Sequence, residues 1–255
     1  MDFIAAKITE VDPLESDYTL LRFASEKPIT GHPGQFVMVR GDWGMDPILP
    51  RAFSLVEVGN AGAILVRAVG KGTALLAKMR AGDDISVLGP LGQGFTQTDN
   101  KRQSILVAGG VGVAPLIFFS EQLAFLGQPA TFIYGARSAR DVLLRSRIEQ
   151  SADLTIITED GSLGETGLVT DALTPILANA SPCRVFACGP EPMLKAVARS
   201  ALKADIPCQI ALESPMACGI GICKGCAVLD HRGEFKYVCC DGPVFEAKSF
   251  FGGAE

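Results

Sequence analysis

Histidine is almost missing from this chain of 255 residues: only His32 and His231 are present, and neither lies in a motif. Chemistry that depends on an imidazole base or a histidine-rich metal shell therefore has little to draw on. Positive charge is not in surplus either, with 23 Lys and Arg against 28 Asp and Glu and a net charge of −5. That balance argues against nucleic acid or an anionic membrane surface as the main partner. No apolar run is long enough to span a membrane. The longest, Ile105 to Phe119, is interrupted by Gly109, Gly110, Gly112 and Pro115, which mark a turn instead. The opening residues Met1 to Lys7 carry an early acid and no apolar core, so no export signal is read and a cytoplasmic location is expected. Internal repeats and low-complexity segments are absent. A 48% hydrophobic and 20% charged composition leaves an ordinary globular protein with enough apolar residues for a large core or two domains.

Cysteine is what the chain does have. There are eight, and in a cytosolic setting they are expected as metal ligands and buried thiols, not bridges. Cys218, Cys223 and Cys226 form a C-x4-C-x2-C run, and Cys239-Cys240 follows after a twelve-residue gap. This is the plant-type spacing of [2Fe–2S] ligands. Each of two irons needs two thiolates, so three cysteines crowd one loop and a fourth arrives from elsewhere. Gly219, Gly221 and Gly225 suit such a loop, because they accept positive φ and let backbone N–H groups face sulfur. Zinc knuckles favour paired C-x2-C spacings, and only Cys223 and Cys226 are so spaced. A zinc-stapled redox sensor or carrier is the non-enzymatic alternative. Spacing alone leaves Cys239 and Cys240 both open as the fourth ligand.

From Phe3 to Gly89 the pattern is short strands punctuated by Gly, Pro and Asp. Strands are expected at Phe3–Val11, Tyr18–Ala24, Gln35–Arg40, Phe53–Val58, Ala63–Val69 and Asp84–Leu88, with one helix over Thr73–Met79. Six short strands and a helix suggest a small closed barrel. Arg51-Ala52-Phe53-Ser54 opens a strand after Pro50; an arginine there can grip a diphosphate, and a serine hydroxyl can bond a flavin ring nitrogen. Leu65-Val66-Arg67 offers backbone to a ring edge, and Gly72-Thr73 sits at a helix start, a natural anion site. Each alone is also a plain strand or cap. Their order gives them weight.

The polar stretch Thr96–Gln103 reads as a linker, after which strands and helices alternate. Strands are expected at Ser104–Ala108, Ala130–Tyr134, Leu154–Thr158, Arg184–Ala187 and Gln209–Leu212. Between them, helices are expected from the Gly109–Pro115 turn to about Leu126, and over Ala139–Gln150, Leu168–Ala178 and Glu191–Ala204. This rhythm builds a parallel sheet with helices on both faces, and ligands bind at the carboxyl ends of its strands. Gly109, Gly110, Gly112 and Pro115 occupy one such end, Cys188-Gly189-Pro190 a second. Cys188 can stand against a nicotinamide ring, or be a small buried thiol. At a third end Glu159 and Asp160 suit the free ribose hydroxyls of NAD and repel the extra phosphate of NADP. Arg137, Arg140, Arg145 and Arg147 pull the other way, but arginines along a helix are usually a solvated face.

Together, Arg51–Ser54, Gly72-Thr73, Gly109–Pro115 and Cys188–Pro190 resemble the ferredoxin-reductase superfamily. Met216-Ala217-Cys218-Gly219-Ile220-Gly221 and Cys239-Cys240-Asp241-Gly242-Pro243-Val244-Phe245 narrow the resemblance to the electron-transfer subunits of NAD-linked (B-type) dihydroorotate dehydrogenases. It covers nearly the whole chain. It implies a six-stranded antiparallel FAD-binding barrel (1–98), a parallel-sheet NAD-binding domain (99–211) and a [2Fe–2S] domain (212–255). It also implies an FMN-containing catalytic partner that oxidises dihydroorotate in pyrimidine biosynthesis, with two copies of each chain. FAD would take Arg51, Ala52, Phe53, Ser54, Leu65, Val66, Arg67, Gly72 and Thr73, and NAD the strand ends named above, with Cys188 beside the reacting ring. In the family the fourth cluster cysteine stands two residues before the Asp-Gly-Pro-Val-Phe stretch, which assigns Cys239. Phe53 departs from a frequent tyrosine, and Cys240 from a more frequent charged residue. The nearest rival is a diaphorase subunit serving a hydrogenase or a ferredoxin-linked transhydrogenase, which would share every motif.

Overall fold

Residues 3–96, 102–179 and 182–253 are described by the structure, a computed structural model. Most of the segment read as a linker, residues 97–101, lies outside them.

Six strands come first: β1 (Ile4–Pro13), β2 (Tyr18–Ala24), β3 (Phe36–Gly41), β4 (Arg51–Glu57), β5 (Gly62–Arg67) and β6 (Asp84–Leu91), with helix α1 (Lys71–Leu76) before the last. They close into an antiparallel barrel in the order β1-β2-β5-β4-β3-β6, which leaves no open edge. Leu21, Phe23, Val37, Val39, Ile64 and Val66 are among the side chains that fill it. The helix begins at Lys71, earlier than Thr73. Thr73 falls in its first turn, where its hydroxyl accepts the Val69 and Gly70 N–H groups at 3.1 and 3.0 Å, a local cap.

The second unit alternates β7 (Gln103–Gly109), α2 (Val113–Phe125), β8 (Ala130–Ala136), α3 (Arg145–Ser151), β9 (Ala152–Thr158), the short β10 (Glu165–Thr166), α4 (Val169–Ala178), β11 (Cys183–Cys188), α5 (Glu191–Lys203) and β12 (Cys208–Ala211). Its sheet runs β10-β9-β8-β7-β11-β12 in parallel. Strand order therefore reverses between β7 and β11, where such sheets form a ligand crevice.

The expected helix over Ala139–Gln150 is interrupted. A 3-10 turn at Ala139–Asp141 gives way to extended backbone at Val142 and a left-handed Leu144 (φ 53°) before α3 starts. The cause is tertiary: buried Leu143 donates its N–H to the Tyr134 hydroxyl at 3.2 Å, drawing the chain off a helical path. Arg147 is not on a solvated face. It is half-buried and paired with carboxylates.

After β12 come the hairpin β13 (Ala227–Leu229) and β14 (Phe235–Tyr237), then β15 (Val244–Glu246) and α6 (Lys248–Phe251). β15 returns to pair antiparallel with β12, so the C-terminal segment completes a seven-stranded sheet. One apolar core joins barrel to sheet, with Tyr18, Leu20, Val56 and Leu65 packed among Leu106, Leu116 and Phe186. Within it Phe95 stacks on Phe119 at 5.5 Å and Phe186 meets Phe119 edge-on at 4.9 Å, pairs worth about 0.5–1.5 kcal/mol each beyond their burial.

Candidate functional site

Arg51 opens β4 and donates Nη1 to the Leu49 carbonyl at 2.6 Å. Its guanidinium lies over the start of α1: a Cβ on Gly72 would meet Arg51 Nε, Cζ and Nη2 at 2.8–2.9 Å. Gly72 thus leaves room for a cation at a helix N-terminus, and the pair makes an anion cradle. Beside it lies a cavity of about 520 Å³ whose walls include Ile48, Arg51, Phe53, Thr73, Pro215 and Met216. Ala52 also lines it, whereas half-buried Ser54 lies further along β4. Leu65 and Val66 turn their side chains into the cores and offer only backbone. The Arg67 guanidinium lies over the Tyr18 ring at 5.2 Å.

At the sheet's switch point two loops touch. Gly112, capping α2, has no room for a Cβ, which would meet the Cys188 carbonyl oxygen at 2.2 Å and the Gly189 nitrogen at 2.6 Å. A Cβ on Gly109 would meet Met193 Sδ at 2.5 Å and Pro190 at 3.0 Å. These glycines therefore serve contact between the two strand ends. Gly110 takes the left-handed conformation (φ 53°), and its carbonyl accepts the Tyr134 hydroxyl at 3.3 Å. Pro115 is buried in the first turn of α2. Cys188 is buried at the end of β11, beside Ala108. Burial above all, and then the charge of Glu213, push its thiol well above the usual range, so it is a neutral, water-excluding group.

Glu213 and Tyr18 carry no motif and were invisible in the sequence. Glu213 follows β12, in reach of solvent, yet its surroundings desolvate the carboxyl enough to raise its pKa. The Tyr18 phenol is raised by burial, opposed by Arg67 and reinforced by Asp141 and Glu213. At the end of β9, Asp160 accepts the Ser162 N–H at 3.0 Å and hydroxyl at 2.5 Å, and Ser162 Oγ in turn accepts the Ala139 N–H at 2.8 Å. The Ser162 bonds hold Asp160 below the usual carboxylate range. Arg137 and Arg140 are exposed nearby in sequence.

The cysteine loop lies against the barrel. Cys226 and Cys239 are buried with Phe36, Met38, Leu88, Leu91 and Val238, and a Cβ on Gly219 would meet Met38 Cγ at 2.6 Å. Gly219 and Gly221 carry positive φ as expected. Gly225 does not; Lys224 takes the left-handed turn instead (φ 57°). Backbone N–H groups do face sulfur, Gly221 to Cys239 at 3.2 Å, Cys223 to Cys218 at 3.4 Å and Gly225 to Cys223 at 3.5 Å. Burial opposes ionisation of Cys218, but bonds from the backbone of Cys223, Ile220 and Ile222 bring its thiol down to about 7. Burial and the thiols of Cys226 and Cys240 push Cys239 up. Cys226 and Cys239 sulfurs lie at 3.2 Å, and Cys240 Sγ is 3.6 Å from Cys239 Sγ on the exposed side.

Among the described residues no three His, Cys, Asp or Glu side chains converge as a single-ion shell. The thiols stand instead as two pairs, 218 with 223 and 226 with 239, edged by N–H donors. That donor set fits a two-iron cluster.

A family model for the iron-sulfur cluster binding domain of dihydroorotate dehydrogenase B matches residues 213–250, and one for the oxidoreductase NAD-binding domain matches residues 106–199. The chain is 38% identical over 220 residues to the electron transfer subunit of dihydroorotate dehydrogenase B (NAD(+)) of Desulforamulus reducens, covering 84% of each. It is 39% identical to that of Caldanaerobacter subterraneus subsp. tengcongensis, covering 85% of this chain and 86% of the relative. Among solved structures, a chain of an NADH-dependent reduced ferredoxin-NADP oxidoreductase, studied for flavin-based electron bifurcation, matches with a TM-score of 0.84. The identity is 28%, over 95% of this chain and 88% of that one.

Proposed function

Because the chain belongs to the family of electron transfer subunits of dihydroorotate dehydrogenase B (NAD(+)), we propose that it carries electrons from dihydroorotate, through the FMN of a catalytic partner, to NAD+. It is an oxidoreductase subunit whose cofactors are FAD, a [2Fe–2S] cluster and NAD. In this reading residues 1–98 hold FAD, 99–211 hold NAD, and 212–255 hold the cluster.

Arg51 and the N-terminus of α1 take the FAD diphosphate, Phe53 packs on the ring system, and Ser54 with the backbone of Leu65–Arg67 meets its polar edge. Cys218, Cys223, Cys226 and Cys239 ligate the irons, and Cys240 is a neighbour. Gly109–Pro115 and Cys188–Pro190 line the dinucleotide crevice, with Cys188 a neutral thiol against the nicotinamide and Asp160 on the adenosine ribose. When bound, the flavin exchanges a hydride with nicotinamide and single electrons with the cluster, which is why it belongs between them. The chain's own work is to bind, orient and exclude water; no general base is needed.

One observation carries this reading. The cavity walled by Arg51, Phe53 and Thr73 is also walled by Pro215 and Met216, immediately ahead of Cys218, so a flavin chamber and the cysteine loop share a wall. The complex is proposed to hold two copies of each chain and to be cytoplasmic; no helix among the described residues is long and apolar enough to cross a membrane. A second reading, a diaphorase subunit of a ferredoxin-linked transhydrogenase or a hydrogenase, is favoured by the likeness to the bifurcating enzyme. Anaerobic purification from native cells separates the two. Recovery of an FMN-containing chain and dihydroorotate-dependent NAD+ reduction support the first. A hydrogenase or a glutamate-synthase-like chain supports the second, and a colourless protein that NADH does not bleach overturns both.

A further inference from the structure

One guanidinium, that of Arg147, bonds sheet to barrel, and a second, that of Arg22, braces the barrel carboxylate it reaches. Arg147 of α3 grips Glu121 of α2 with both arms of its fork, Nε to Oε1 and Nη2 to Oε2, each at 2.8 Å. Its remaining nitrogen, Nη1, donates to Glu57 Oε2 at 3.1 Å, across to the last residue of β4. The other oxygen of Glu57 accepts Arg22 Nε at 3.2 Å, and Arg22 Nη1 donates to Glu10 and Asp12 of β1 at 2.8 and 2.7 Å. Glu57 is thereby fixed within the barrel before Arg147 reaches it. Both guanidiniums are largely shielded, with side-chain exposures of 21% for Arg147 and 24% for Arg22. Burial works against the charge on Arg147, but Glu121 and then Glu57 outweigh it.

We propose that Arg147 is a positioning residue for hydride exchange: by holding the flavin strand and the dinucleotide helix together, it sets the angle at which the two cofactors meet. The inference rests on the function proposed above. β4 starts at Arg51–Ser54 and ends at Glu57; α2 starts at the Gly112 turn and carries Glu121. Each element is a lever from the latch to a cofactor end, about 10 Å along the strand and about 13 Å along the helix. A tilt of about 5° at the latch moves a point that far away by roughly 1 Å, and a misplacement of that size can slow a reaction about 100-fold. The apolar core beneath is non-directional. The Arg147–Glu57 bond has a direction across the joint, and the bidentate hold on Glu121 fixes its donor to the sheet unit.

The test uses the full chain loaded with FAD and cluster. NADH is mixed anaerobically, and the limiting rate of flavin bleaching is read together with NADH affinity, flavin content and amide hydrogen exchange over residues 55–57 and 113–121. In the step observed, two electrons leave the nicotinamide as one hydride and a proton enters from solvent. Arg147→Gln and Glu57→Gln are each expected to lower the limiting rate about 10- to 100-fold, with NADH affinity and flavin content within about threefold. Exchange should rise in both stretches. The double variant should be no slower than the worse single one, because both lose the same bond. Arg147→Lys, which keeps charge without the fork, should fall between. Arg145→Gln, which loses only an exposed pair with Glu149, should match wild type. If Arg147→Gln does not fold, Glu57→Gln and Arg147→Lys decide. Limiting rates within about twofold of wild type in those variants overturn the inference alone. A wild-type chain that NADH fails to bleach overturns the proposed function, and this inference with it.

Discussion

The sulfur atoms of Cys226 and Cys239 lie 3.2 Å apart in an apolar cluster, although twelve residues lie between them in the chain. Both are free thiols. Burial and the neighbouring thiols push Cys239 up. Such a pair is poised for a cation, since metal ligation requires thiolates.

Cys226→Ser and Cys239→Ser should each yield protein with less than the roughly two irons per chain of a [2Fe–2S] centre. NADH oxidation by artificial two-electron acceptors should persist, while transfer to the partner stops. Cys240→Ser should keep its iron, because Cys240 points to the exposed side. Iron analysis and visible spectra check all three. Full iron in Cys239→Ser with loss in Cys240→Ser would reverse the assignment.

Two glycines should respond differently to the same added methyl group. At Gly72 the three atoms nearest the Cβ all belong to the far end of the flexible Arg51 side chain, at 2.8–2.9 Å. Gly72→Ala should fold but displace the guanidinium, weakening FAD about tenfold, or about 1.4 kcal/mol. At Gly112 it would strike the backbone of Cys188 and Gly189 at 2.2–2.6 Å, which cannot step aside. Gly112→Ala should destabilise by about 2 kcal/mol or more, a fall in melting temperature of roughly 5 °C or more for a chain of this size. Flavin retention on desalting and thermal melts separate the cases.

What the sequence made legible was local. The C-x4-C-x2-C spacing, the short alternating strands and the glycine turn before α2 each state their own geometry within a few residues. What it hid was tertiary. The break before α3 comes from the hydroxyl of Tyr134, one strand away, and Arg147 is drawn from solvent by Glu57 and Glu121, distant in sequence. β15 joins the sheet antiparallel because β12 offers it a free edge, which no periodicity announces. In the cysteine loop the left-handed residue is Lys224, not Gly225.

Asp160 should govern the choice of dinucleotide. Ser162 holds its carboxylate below the usual range, so it stays charged throughout the neutral region. A fixed negative charge beside the adenosine ribose repels a 2′-phosphate. Asp160→Asn should raise the NADPH-to-NADH ratio of kcat/KM by about tenfold, since the substitution removes the like-charge repulsion. Steady-state rates with both nucleotides check it, and an unchanged ratio removes Asp160 from the ribose site.

Glu213 makes a prediction of the opposite sign. Desolvation by its surroundings raises its carboxyl pKa, so the folded chain holds that proton more tightly than the unfolded one. Well below the ordinary glutamate range both states are protonated and the group contributes nothing. As pH climbs through that range and past the raised value, the folded state must give up a proton it prefers to keep, and stability is lost. Glu213→Gln keeps the shape and removes the titration. Its melting temperature should match wild type in acid and exceed it near neutrality. Melts of both proteins from acid to neutral pH decide the matter, and a Gln variant less stable at neutral pH would mean that the carboxylate has a cationic partner in the fold.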